Sequence, residues 1–140
     1  MIWGIAFNIA LLLGCAYAAV CGGRTERLGA ALLFSAATIT TIVVIGQASY
    51  HHAFETAIFA IDVAMLAALL ALSLTSDRYW PLWATGFHVI GVATHAAILT
   101  EAAVAPLAYA HGLGLWSYLT LFALVWGTRA VRRETLRGPA

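Results

Sequence analysis

Few residues in this chain carry charge, and several of those that do fall inside apolar runs. Glu55 and Asp62 lie seven apart in one such run, and His88 and His95 lie seven apart in the next. Two helical turns put each pair on one face. His111 falls in a later run, and His51, His52 and Glu101 flank the others. Ionisable groups in hydrocarbon are costly, face the interior of a bundle and mark functional sites by default.

Four chemistries compete for these residues. A pair between Asp62 and His95, or Asp62 and Tyr118, would fix helix register without reacting. A ladder from His51, His52, Glu55 and Glu101 through His95 to Asp62 and His88 would relay protons or ions, although below His88 nothing ionisable follows until Arg78 and Asp77. Asp62, His95 and His111 form a two-histidine, one-carboxylate set that suits iron or zinc, and His95 with His111 would serve as axial haem ligands. His52 and Glu55, three apart, also suit a metal on one helix face. Membrane-embedded catalysis is the weakest reading, for the chain has no nucleophile–base motif, no His-Glu-x-x-His and no phosphate loop.

The elements that hold these residues follow from composition. The chain has 140 residues, 63% hydrophobic and 9% charged, with a mean hydropathy of +0.91. Soluble domains average about 45–50% apolar and about 25% charged residues. This surplus of apolar surface argues against a soluble enzyme, a disordered tail or a nucleic-acid-binding module. The net charge of +1 draws no acidic partner. Cys15 and Cys21, six apart on one helix, cannot bridge and read as small packing residues. The N-terminal segment lacks the basic region of a signal peptide and reads as a retained span.

A span needs about 20 apolar residues. Five segments qualify, at about 2–20, 28–48, 53–74, 81–100 and 107–127, followed by a basic tail over 128–140. The expected fold is therefore a single all-α bundle of five transmembrane helices. All seven basic residues are arginines, and five spans place every one on the same side: Arg24, Arg27, Arg78, Arg129, Arg132, Arg133 and Arg137. The positive-inside rule then puts the N-terminus out and the C-terminus in. Trp3, Tyr50 and Tyr109 fall at the outer interface, and Tyr17, Tyr79, Trp80, Trp83 and Trp126 at the inner one. Arg129, Arg132 and Arg133 share a face that would anchor the tail on anionic headgroups. Pro81 and Pro106 mark helix starts.

Folding the chain about Arg78 sets Asp62 level with His95, and folding it about Ala103 sets His95 level with His111. Asp62, His95 and His111 thus share one depth in the outer half, with Glu55 and Glu101 above them and His88 alone below. Small residues would bring the helices together. Ala6, Ala10, Gly14, Ala18 and Gly22 recur every four residues in the first span, as do Ala60, Ala64 and Ala68 in the third. The first stripe serves packing within the protomer or a homo-oligomer seam, and Asn8 would hydrogen-bond across either.

Glu26-Arg27-Leu28, Glu55, Asp62, Arg78-Tyr79-Trp80-Pro81-Leu82-Trp83, His95, Pro106-Leu107-Ala108-Tyr109 and Trp116-Ser117-Tyr118 together resemble a group of small multi-spanning bacterial inner-membrane proteins without an assigned activity. The resemblance implies a bacterial inner-membrane location and says nothing of activity. The expectation is a small non-enzymatic multi-pass protein, working as a homo-oligomer or as a subunit of a larger membrane complex. Ion or proton movement is the first alternative, and a haem or transition-metal site the second.

Overall fold

The computed structural model describes residues 2–46, 51–99 and 106–137, with side chains described for 4–46, 56–97 and 114–137. Among the described residues there are five α-helices: α1 (Ile2–Cys21), α2 (Arg24–Gly46), α3 (His51–Thr75), α4 (Trp80–Leu99) and α5 (Pro106–Arg137). Their limits follow from local chemistry. Gly22 and Gly23 separate α1 from α2, and the Gly23 N–H donates to Glu26 Oε2 at 2.9 Å. A glutamate at the third helical position that reaches back to the residue before the helix is half of a capping box. Pro81 lies in the first turn of α4 and Pro106 opens α5, where a missing N–H costs no hydrogen bond. At its other end α5 runs on as helix to Arg137.

Among the described residues, three helices are long and apolar enough to cross a membrane, over Gly4–Cys21, Arg24–Gly46 and Thr56–Thr75. The chain is thus a small helical protein with candidate spans for several passes through a bilayer, and contact with lipid follows from them. The last turns of α5 carry Arg129, Arg132, Arg133 and Arg137. Hydroxyl groups in the spans do not spoil their apolar surface. Thr38, Thr41, Thr94 and Thr120 each donate to the carbonyl four residues earlier at 2.8–2.9 Å.

The helices form a closed ring. Each packs on its neighbours in chain order, α1 meets α5, and α2 also touches α5 across the middle. Short connections make successive helices antiparallel. Arg78 Nη1 donates to Glu134 Oε2 at 2.8 Å, which ties the α3–α4 turn to the last turns of α5. Trp80 reaches Glu26 at the start of α2. All seven arginines therefore gather at one end of the bundle.

The core lies in the half nearest that arginine end. Leu11, Cys15 and Ala18 of α1 meet Ala30 and Leu33 of α2, Leu69 and Leu72 of α3, Trp80 and Ala84 of α4, and Leu121, Ala123 and Leu124 of α5. The lower part of the first small-residue stripe is spent here. Gly14, Ala18 and Gly22 are buried, and a Cβ on Gly14 would stand 2.9 Å from Leu121 and 3.1 Å from Val125. Ala10 is half-buried and Ala6 exposed. Ala60 and Ala64 of the second stripe face outward, and Asn8 donates to the Gly4 carbonyl of its own helix at 2.8 Å rather than across a seam.

Candidate functional site

The hairpin of α3 and α4 brings Asp62 and His95 together. His95 Nδ1 and Asp62 Oδ2 are 2.6 Å apart, and His95 is only 6% exposed. His88, expected to stand alone, instead reaches the same residue, with its Nε2 3.0 Å from the Asp62 carbonyl oxygen. A carbonyl only accepts, so His88 Nε2 carries the hydrogen. One aspartate thus serves both histidines. Its side chain tilts towards the N-terminus of α3, its carbonyl points the opposite way, and the antiparallel α4 supplies one imidazole to each.

This cluster faces a cavity of about 270 Å³ to which all five helices contribute. Phe7, Asn8 and Leu11 come from α1, Ala36, Ala37, Thr40 and Thr41 from α2, Ile58 and Met65 from α3, and Ser117 and Thr120 from α5. Tyr118, the other partner considered for Asp62, sets its ring edge-on to Phe7 with centroids 5.2 Å apart. A cavity of this size with polar walls has room for several waters.

Sequence reasoning missed a second cluster. Trp80, expected at the membrane interface, is 5% exposed, and its Nε1 donates to Glu26 Oε1 at 2.9 Å. Glu26 is 1% exposed and accepts from Trp80 on one oxygen and from the Gly23 N–H on the other. The indole is held between two glycines. A Cβ on Gly127 would lie 2.7 Å from the Trp80 Cβ, and one on Gly29 would lie 2.9 Å from its Cζ2. Neither distance is possible for real atoms, so α2 and α5 close on α4 only because both positions lack side chains. Tyr79, Trp83 and Trp126, expected at the same interface, are exposed. The signal for Glu26 was its place three residues after Gly23, the capping spacing.

At the arginine end Arg78 and Glu134 form an exposed ion pair. The hydrogen bond from Arg78 to Glu134 pushes the guanidinium above its ordinary value, so Arg78 stays charged at every physiological pH. Arg129, Arg132 and Arg133 are exposed on the last turns of α5.

The remaining site residues named from sequence fall elsewhere. Glu101 lies outside the described residues, and the side chains of His51, His52, Glu55 and His111 lie outside the described side chains. Among the described residues no three His, Cys, Asp or Glu side chains converge as a metal set. No family model, no curated protein and no solved structure matches the chain. What stands is a small helical protein with three candidate membrane spans among its described residues and a carboxylate–imidazole cluster on a cavity lined by all five helices.

Proposed function

We propose that this chain is a five-span, non-enzymatic protein of the bacterial inner membrane, with its N-terminus out and C-terminus in. In this reading it works as a homo-oligomer or as a subunit of a larger membrane complex, and it takes up and releases a proton at Asp62 and His95 from the outer side alone. The single observation behind the proton site is the 2.6 Å contact between Asp62 and His95 on a cavity that all five helices line.

Two features support the membrane placement. Large apolar side chains point outward on every helix, α4 and α5 included, where Leu82, Trp83 and Val89, and Leu115, Phe122 and Trp126 are exposed. Water would not tolerate so continuous an apolar belt. The gathering of all seven arginines at one end supports the orientation proposed here. A second reading, a proton relay across the protomer, is favoured by His88 at the other side of Asp62. Against it stands the layer of Trp80, Leu69 and Leu124 between the cavity and the arginine end.

The test is infrared difference spectroscopy of the protein in liposomes across a pH step, with proton flux followed in the same vesicles. The expected result is a carboxyl band that disappears in Asp62→Asn, with no flux in either protein. A flux that Asp62→Asn abolishes would replace this reading with the relay. Absence of any Asp62 band would reduce the pair to a fixed clasp. Native mass spectrometry of the same sample reads stoichiometry, and a bound haem or metal mass would move the assignment to a cofactor site.

A further inference from the structure

A second concave surface lies on the outside of the ring, along the seam between α4 and α5, with a volume of about 660 Å³. Its shape follows from residue size. Trp83 and Phe87, one turn apart on α4, form one wall, with ring centroids 6.3 Å apart. Phe122 and Trp126, one turn apart on α5, form the other, at 5.9 Å. Ala123, Gly127 and Ala130 line the groove between them. Large aromatic walls on either side of Ala123 and Ala130, with Trp80 closing over Gly127, leave a slot rather than a packed seam.

The slot has an apolar end and a charged end. Leu119 and Phe87 lie at the apolar end, and Asp77, Arg78 and Glu134 at the charged end. From Leu119 to Glu134 the helix rises about 22 Å. One bilayer leaflet with its headgroups is roughly 20–22 Å thick. The slot is therefore as long as one phospholipid molecule. Arg133 and Arg137 follow Ala130 by three and seven residues on the same face of α5, so Arg133 stands level with Glu134 and Arg137 one turn beyond it, at the rim of the groove. Arg78 is engaged by Glu134, and Asp77 is the other carboxylate there. Three arginines against two carboxylates leave the mouth positive.

We infer that the α4–α5 groove is a binding site for one anionic phospholipid, whose acyl chain lies between the Trp83–Phe87 and Phe122–Trp126 walls and whose phosphate meets Arg133 and Arg137. The inference rests on α4 and α5 lying in the bilayer. It adds to the tail's general affinity for a charged surface a defined slot with a shape, a floor and a selectivity. A zwitterionic lipid fills the walls equally well but gains nothing from the arginines.

The experiment uses the full chain in phosphatidylcholine vesicles that contain, at equal mole fraction, phosphatidylglycerol or phosphatidylcholine with brominated chains, which quench nearby tryptophans. Brominated phosphatidylglycerol is expected to quench more strongly than its zwitterionic counterpart. The excess should vanish in Trp83→Phe/Trp126→Phe and in Ala130→Leu, which fills the floor. Arg133→Gln/Arg137→Gln should reduce the preference by roughly fivefold per arginine. Equal quenching by the two lipids in the unaltered protein would overturn the site while leaving the membrane placement intact. Excess quenching that survives Arg133→Gln/Arg137→Gln would also overturn it. Quenching by neither lipid would overturn the site together with the placement of α4 and α5 in the bilayer.

Discussion

The same five helices behave in opposite ways at the two ends of this bundle. Towards the arginine end they close on one another around Leu69, Trp80, Ala84 and Leu124. In the other half, over the described residues 4–10, 34–46, 56–68, 88–97 and 114–119, only Gly91 and His95 are buried. There the helices stand apart around the cavity, and the contact across α3 and α4 is polar, between Asp62 and His95. The difference lies in residue type. Glycine opposite tryptophan brings three helices into contact at one point, whereas threonines fill little volume and bond to their own helix. Closure is achieved by shape at one end, and openness is tolerated at the other because its polar groups are paired.

That contrast makes a ranked set of expectations for unfolding in mixed micelles. Trp80→Ala, which removes the shared wedge and strands buried Glu26, should cost most, about 3–5 kcal/mol. Gly127→Ala puts a methyl where the Trp80 side chain lies and should cost about 1–3 kcal/mol through overpacking. Asp62→Asn should cost less than either, about 0.6–1.7 kcal/mol, the range measured for hydrogen bonds between membrane helices. An Asp62→Asn loss larger than that of Trp80→Ala would invert the comparison and make the polar pair the principal fastening. Glu134→Gln, in an exposed ion pair, should shift stability by no more than about 1 kcal/mol, and a larger loss would extend the fastened region to the surface.

The helices and the cavity pair were legible in the sequence, and the fastening was not. Apolar runs broken by Gly22-Gly23, by Ser76–Tyr79 and before Pro106 define the helices, because such runs have few other ways to satisfy a backbone in lipid. The reading of 81–100 differs from the observed Trp80–Leu99 by one residue at each end, while the fifth helix runs ten residues beyond its reading. Asp62 and His95 meet because a short turn fixes the register of an antiparallel hairpin, so counting outward from Arg78 suffices. No such count finds Trp80 between Gly29 and Gly127. Those three positions lie on separate helices, and a tryptophan beside a membrane turn looks the same in sequence whether it faces headgroups or a glycine. Glu26 was obscured in the same way, among arginines that mark a surface.

The position of Trp80 also bears on how the protein is made. In the five-span reading proposed above, a chain inserted from its N-terminus places α1 to α4 in the membrane before α5 exists. At that stage Trp80 has the Gly29 side of its slot, and the Gly127 side has yet to be synthesised. The four-helix intermediate therefore exposes an indole and a carboxylate that the finished protein hides. Arrival of α5 seals both in one step. Closure of the bundle therefore waits on α5, the last of the five helices in chain order.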